Sequence, residues 1–74
     1  MQIGDLVISK DILVTYPKTR WGWEIWKITG ENIYEKDGSQ RWELIKDNST
    51  GCFGKDFVDE HYIKYNKSLE ILYG

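Results

Sequence analysis

The sequence contains no alanine, and only one cysteine, one proline, one histidine and one methionine in 74 residues. Without alanine, the best helix former, an all-helical bundle is disfavoured. A single cysteine excludes an intrachain disulfide framework, and with a single histidine it leaves no Cys/His pair set for zinc. No apolar run approaches the ~18 residues of a spanning helix. Met1-Gln2-Ile3 runs directly into Gly4-Asp5, without the basic and apolar regions of a targeting segment. Charge of neither sign dominates: ten Lys/Arg stand against twelve Asp/Glu, for a net charge of −2. The length fits one small domain, residues 1–74, with a stability on the order of 4–11 kcal/mol at about 0.05–0.15 kcal/mol per residue.

The abundant residues point the other way from alanine. Val, Ile, Thr, Phe, Trp and Tyr fill 27 of the 74 positions, the set that suits a pleated, half-buried surface. Aromatics are 15% of the chain. Rings that bury ~150–250 Å² each let a short chain build a core without a disulfide or a metal. Composition alone therefore favours an all-β fold.

Along the chain, Leu6-Val7-Ile8 reads as a first strand and Ile12 to Arg20 as a long loop. Ile12-Leu13-Val14 would be pinned against the sheet, and Pro17, which lacks a ladder donor, would sit near the loop tip. From Trp21 to Thr29 the pattern is strand: Trp23 and Ile25 share one face, Trp26 and Ile28 the other. Apolar residues on both faces imply a bulge near Trp26 or an aromatic left outside. Gly30-Glu31-Asn32 reads as a turn, Ile33-Tyr34 as a brief extension, and Asp37-Gly38 as a turn dipeptide. Arg41–Ile45 forms a third strand, Asp47–Gly51 a hairpin loop, and Cys52-Phe53 a fourth strand. Phe57, Val58, His61, Tyr62 and Tyr65 make a helical stripe that also overlaps a strand pattern. We read a helical or 3₁₀ turn over Asp56–Glu60 and a short strand over Tyr62–Tyr65. The tail Ser68–Tyr73 would add a last edge strand. The expected core is Leu6, Ile8, Ile25, Ile28, Trp42, Leu44, Phe53, Val58 and Ile63.

Three passages, Ile3-Gly4-Asp5-Leu6-Val7, Trp23-Glu24-Ile25-Trp26-Lys27-Ile28 and the stretch from Lys55 to Lys64, follow one another in a telling order. A strand opened by Gly-Asp, a long loop, a three-strand meander, a helical turn and a final short strand resemble the SH3-like small barrel of Tudor, KOW and many phage-encoded modules. The resemblance spans about residues 3–65. It implies a five-stranded barrel that serves as an interaction scaffold for peptides, proteins or nucleic acids and is seldom catalytic. It also suggests a phage or mobile-element protein acting in the host cytoplasm, where a lone cysteine stays reduced.

Little in the sequence points to catalysis, a cofactor or a metal. His61, beside Asp59 and Glu60, has no converging partner set and reads as a structural or solvated side chain. Cys52, between Gly51 and Phe53, lacks the basic surroundings of a reactive thiolate and reads as a small hydrophobe. The carboxylates Asp56/Asp59/Glu60 and Glu31/Glu35 read as solvated charges, and the dispersed glycines match no phosphate-binding loop. What remains is Tyr16-Pro17-Lys18-Thr19-Arg20-Trp21-Gly22-Trp23, bases among aromatics. Aromatic and Arg side chains are enriched in protein–protein hot spots and also stack nucleobases. The bland alternative is that Trp21 and Trp23 cap an open end of the barrel. The candidate partner-binding residues are Tyr16, Lys18, Arg20, Trp21 and Trp26. An isoelectric point near 5.3 weighs against phosphate-driven affinity, so a host or viral protein is the favoured partner and a nucleic acid the alternative.

Overall fold

The computed structural model describes residues 1–15 and 23–73. Five antiparallel strands dominate it: β1 (Leu6–Ser9), β2 (Ile25–Ile33), β3 (Gln40–Lys46), β4 (Ser49–Gly54) and β5 (Tyr62–Lys64). Three short helices accompany them, α1 (Lys10–Thr15), α2 (Lys55–His61) and α3 (Lys67–Tyr73). The sheet order is β4-β3-β2-β1-β5, so β4 and β5 are its edges among the described residues. The fold is thus mostly β, with the expected helical turn present as α2 and the expected closing strand as β5.

Successive residues of a strand face opposite sides of the sheet, and here both sides are apolar. On one face Val7, Ile28, Trp42, Leu44 and Val58 form a buried cluster, flanked by Met1, Trp26, Phe53 and Tyr62. On the other, Ile8, Leu13 of α1 and Leu69 of α3 form a second cluster, flanked by Ile12, Trp23, Ile25, Ile63 and Tyr65. The registers Val7↔Trp26 and Ile8↔Ile25 on β2, with Ile8↔Ile63 on β5, set these two layers.

Several expectations are corrected by this two-sided arrangement. The segment from Ile12 does not start as a loop: α1 carries Ile12 to Thr15, and Leu13 is indeed pinned against the sheet. Leu6, expected in the core, is 42% exposed, while Val7 is fully buried, because Leu6 lies beyond the reach of the second-face cluster. Ile25, Phe53 and Ile63 are half-buried. The tail is helix α3, not an edge strand. Asn66 starts it, its Oδ1 accepting the Ser68 N–H at 2.8 Å and its carbonyl the Leu69 N–H at 3.1 Å, and Leu69 buries one side against the second face.

Gly30 was expected in a turn but lies inside β2. The register shifts between Ile28 and Gly30, a bulge three residues beyond the position expected near Trp26. A Cβ at Gly30 would stand 3.1 Å from Glu43 Oε2, the mobile end of a side chain that can give way, so the space there does not demand glycine. The β2–β3 turn falls instead where Asp37-Gly38 marks it. Gly38 takes a φ of 70°, its N–H donates to the Tyr34 carbonyl at 2.7 Å, and the Tyr34 N–H donates to the Ser39 carbonyl at 2.9 Å. The loop expected over Asp47–Gly51 shortens to Asp47-Asn48, with Asp47 at a left-handed φ of 53° that Asp tolerates.

Trp42, only 6% exposed, is the largest ring of the first cluster. Emptying that volume by Trp42→Ala should lower stability by about 3–5 kcal/mol in a thermal or denaturant melt. Ile71→Ala, on the open side of α3, should change it by less than about 0.5 kcal/mol.

Candidate functional site

Tyr16, Lys18, Arg20 and Trp21 lie outside the described residues; of the predicted partner-binding set, Trp26 alone has a described position. It sits on β2 opposite Val7, half-buried at the rim of the first cluster. Its ring meets Phe53 of β4 edge-on, with centroids 5.7 Å apart and planes at 86°, a favourable arrangement of ring quadrupoles. Above it Lys46 places its ammonium 5.9 Å from the ring centroid. The same ammonium stands 3.6 Å from the Glu24 carboxylate.

Other aromatics lie on α2 and β5. Phe57 is 50% exposed. Its ring lies 4.7 Å from the His61 imidazole, one helical turn along α2, and 6.2 Å from Tyr62, the first residue of β5. Tyr62 is half-buried and, like Trp26 and Phe53, packs against the first cluster. Burial raises the Tyr62 phenol above its usual value, and the negative charge of Glu24 raises it further. Glu24 therefore connects the two ring groups electrostatically: it pairs with the lysine above Trp26 and acts on the phenol beside Phe57.

Sequence reasoning placed Phe57 in a helical stripe but did not single it out for binding. The stripe itself held the signal. Phe57, Val58, His61 and Tyr62 span more of a helix than one short contact can cover, and α2 buries only Val58. The residues beside it are left at the surface.

A second surface lies at the β2–β3 hairpin. Arg41 places its guanidinium 4.2 Å over the Tyr34 ring. The Ser39 hydroxyl and backbone N–H hold the Asp37 carboxyl below its usual value. Lys55 pairs with Glu31 at 3.4 Å and stands 4.3 Å over the buried Trp42 ring. An open groove of about 490 Å³ runs between Glu31, Ile33, Gln40 and Lys55. Its main cation is already matched by Glu31, which leaves little net charge to draw an ionic ligand.

The remaining candidates carry less chemistry. His61 is exposed, 3.9 Å from the Glu60 carboxylate. Cys52, expected to behave as a small hydrophobe, is exposed on β4, because β4 is an edge and its outer face meets no helix of the second cluster. Among the described residues no group of three His, Cys, Asp or Glu side chains could hold a metal ion, and no helix is long and apolar enough to cross a membrane. No protein-family model, curated protein or solved structure matches the chain.

The raised phenol gives a pH prediction. A group whose folded pKa is raised contributes stability that is fully present below its unfolded value, ~10 for tyrosine, and is lost as pH rises through the folded value. Tyr62 should accordingly titrate later than an exposed tyrosine when followed by NMR. Glu24→Gln, by removing the second cause, should move its midpoint back down.

Proposed function

We propose that this chain is a non-enzymatic protein-binding module built on an SH3-like barrel. Support for the barrel comes from the strand order β4-β3-β2-β1-β5, the long β1–β2 connection and the helical turn between β4 and β5. That is the order of elements in which the sequence resembles such barrels. In this reading the barrel is an open one: the sheet curls without pairing β4 to β5, and each keeps its outer side unpaired among the described residues.

One observation carries the function: the Phe57 ring is 50% exposed beside His61 and Tyr62, whereas Trp42 is buried, Trp26, Phe53 and Tyr62 are half-buried, and Tyr34, 39% exposed, lies under the Arg41 guanidinium. A ring presented at the surface by α2, beside the half-buried Trp26, Phe53 and Tyr62, offers contact area with only two side-chain torsions to order. Its ionic neighbours are matched, Lys46 with Glu24, so the surface suits a partner recognised by shape and apolar contact. The same balance disfavours a phosphate backbone, whose affinity needs many unpaired bases.

Affinity capture with the wild-type chain and with Phe57→Ala should recover a reproducible protein partner with the first and not the second. Phe57→Ala should meanwhile leave stability within about 1 kcal/mol, as for a surface change. Trp26→Ala should weaken the same partner. Wild-type binding to single- or double-stranded oligonucleotides that falls steeply with salt, with no protein partner retained, would establish the nucleic-acid reading instead.

A further inference from the structure

The two edges of the sheet are built differently. β5 is three residues long and ends in Lys64, which stands 3.6 Å from Asp5. A short strand and a charge are ordinary guards against unwanted pairing. β4 runs for six residues, Ser49-Thr50-Gly51-Cys52-Phe53-Gly54, with neither a charge nor a proline. Among the described residues no strand pairs with its outer side.

The hairpin dictates which backbone groups of β4 face outward. Its turn has two residues, Asp47-Asn48, so Lys46 and Ser49 close it as a hydrogen-bonded pair and the bonding alternates from there. Ser49, Gly51 and Phe53 then direct their N–H and C=O groups to β3, while Thr50, Cys52 and Gly54 turn theirs away. The bulge of β2 agrees: the Thr29 hydroxyl donates to the Glu43 carbonyl at 3.3 Å, so that carbonyl faces β2 and not Cys52, which lies across from Glu43.

We propose that β4 pairs with β4 of a second copy of this chain, antiparallel about a two-fold axis through Cys52. This register uses all three outward residues, setting Cys52 against Cys52 and Thr50 against Gly54. Gly54 opens α2 with its carbonyl, but its N–H stays available to the facing Thr50 carbonyl. No charged side chain lies within the pairing, so the two-fold brings no like charges together, and Gly54 offers no side chain to crowd Thr50. The pairing is isologous, each copy offering the same strand, and what suits a second copy is the side-chain register: an uncharged residue faces its own copy at the axis and glycine faces Thr50 on either side. On the face that carries Thr50 and Cys52, a groove of about 400 Å³ lined also by Thr29, Glu43 and Ile45 leaves these two side chains uncovered. The pairing goes beyond the binding surface around Phe57 and does not use that ring.

Sedimentation velocity over a concentration series, with thiol bridging by dibromobimane, tests it on the full chain. A short edge buries little area, so wild type should dimerise weakly, with Kd in the range of about 10–1000 µM. Facing Cα atoms in a hydrogen-bonded pair lie ~5.5 Å apart, close enough for the reagent to bridge Cys52 to Cys52. Cys52→Lys, which sets two ammonium groups directly opposite, should weaken association at least about tenfold. Cys52→Ser and Phe57→Ala should retain it, the latter separating this outcome from loss of partner binding. The proposal is overturned if wild type stays monomeric to ~1 mM, or if it dimerises without a Cys52 bridge. It is equally overturned if Cys52→Lys folds and dimerises as wild type does, or if the chain is monomeric alone and bridges through Cys52 only to an added extended peptide. Should Cys52→Lys fail to fold, the wild-type bridge decides between these results.

Discussion

Strand β1 is buried on both of its faces, and most of the architecture answers to that constraint. Val7 and Ile8 are adjacent, point to opposite sides and are both fully buried. An antiparallel sheet commonly packs one face and leaves the other to water. Here the second face needs its own cover. The chain supplies it from the segments on either side of the strand pattern, Leu13 of α1 immediately after β1 and Leu69 of α3 near the end of the chain. The first face is closed by α2 through Val58. Each helix is only six or seven residues long, too short to be stable in isolation, so each owes its existence to the single apolar residue it buries on the sheet.

The strands were legible in the sequence because β-branched and aromatic runs, bounded by Asp-Gly and Asp-Asn, state their own period and ends. Trp23/Ile25 and Trp26/Ile28 even assigned the two faces of β2 correctly. What could not be read was that both faces would be covered. Alternation along β1 makes Leu6 and Ile8 equivalent, which is why the expected core holds both and omits Val7. A two-sided core makes Val7 and Ile8 the pair that matters and leaves Leu6 at the margin. The tail reads as an edge strand because Ser68-Leu69-Glu70-Ile71-Leu72-Tyr73 satisfies either period. Tertiary cover decided in favour of the helix, with Asn66 as its cap and the Tyr65 hydroxyl donating to Glu70. Gly30 misled for another reason: glycine marks a turn and a β-bulge alike, and here it follows the register shift within β2. Of the candidate site, Trp26 was visible as an aromatic in excess of one face's needs. Phe57 became distinct only once α2 was seen to bury Val58 and nothing else.

Where the apolar material ends up also shapes what the surface can do. Among the described residues no polar or charged side chain is buried. Asp37 and Tyr62 shift for local reasons. Asp37 is held by the Ser39 hydroxyl and N–H inside a turn, and Tyr62 is half-covered at the rim of the core. Each shift belongs to a single side chain, one in a turn and one at the rim of the core. The distinctive features lie instead in which rings reach the surface and how firmly they are held.

Those rings are held firmly. Trp26 is fixed by Phe53 and by the strand pairing with Val7, and Phe57 by His61 and Tyr62 at the junction of α2 and β5. The junction is itself anchored, because the Lys10 ammonium at the start of α1 donates to the Glu60 carbonyl at 2.9 Å. That bond joins the first-face helix to the segment that leads into the second-face cover. Displacing α1 would thus break a hydrogen bond at the end of α2 and withdraw Leu13 from Ile8 at the same time. One hydrogen bond joins the end of α2, beside the aromatic surface, to the helix that covers the opposite side of β1.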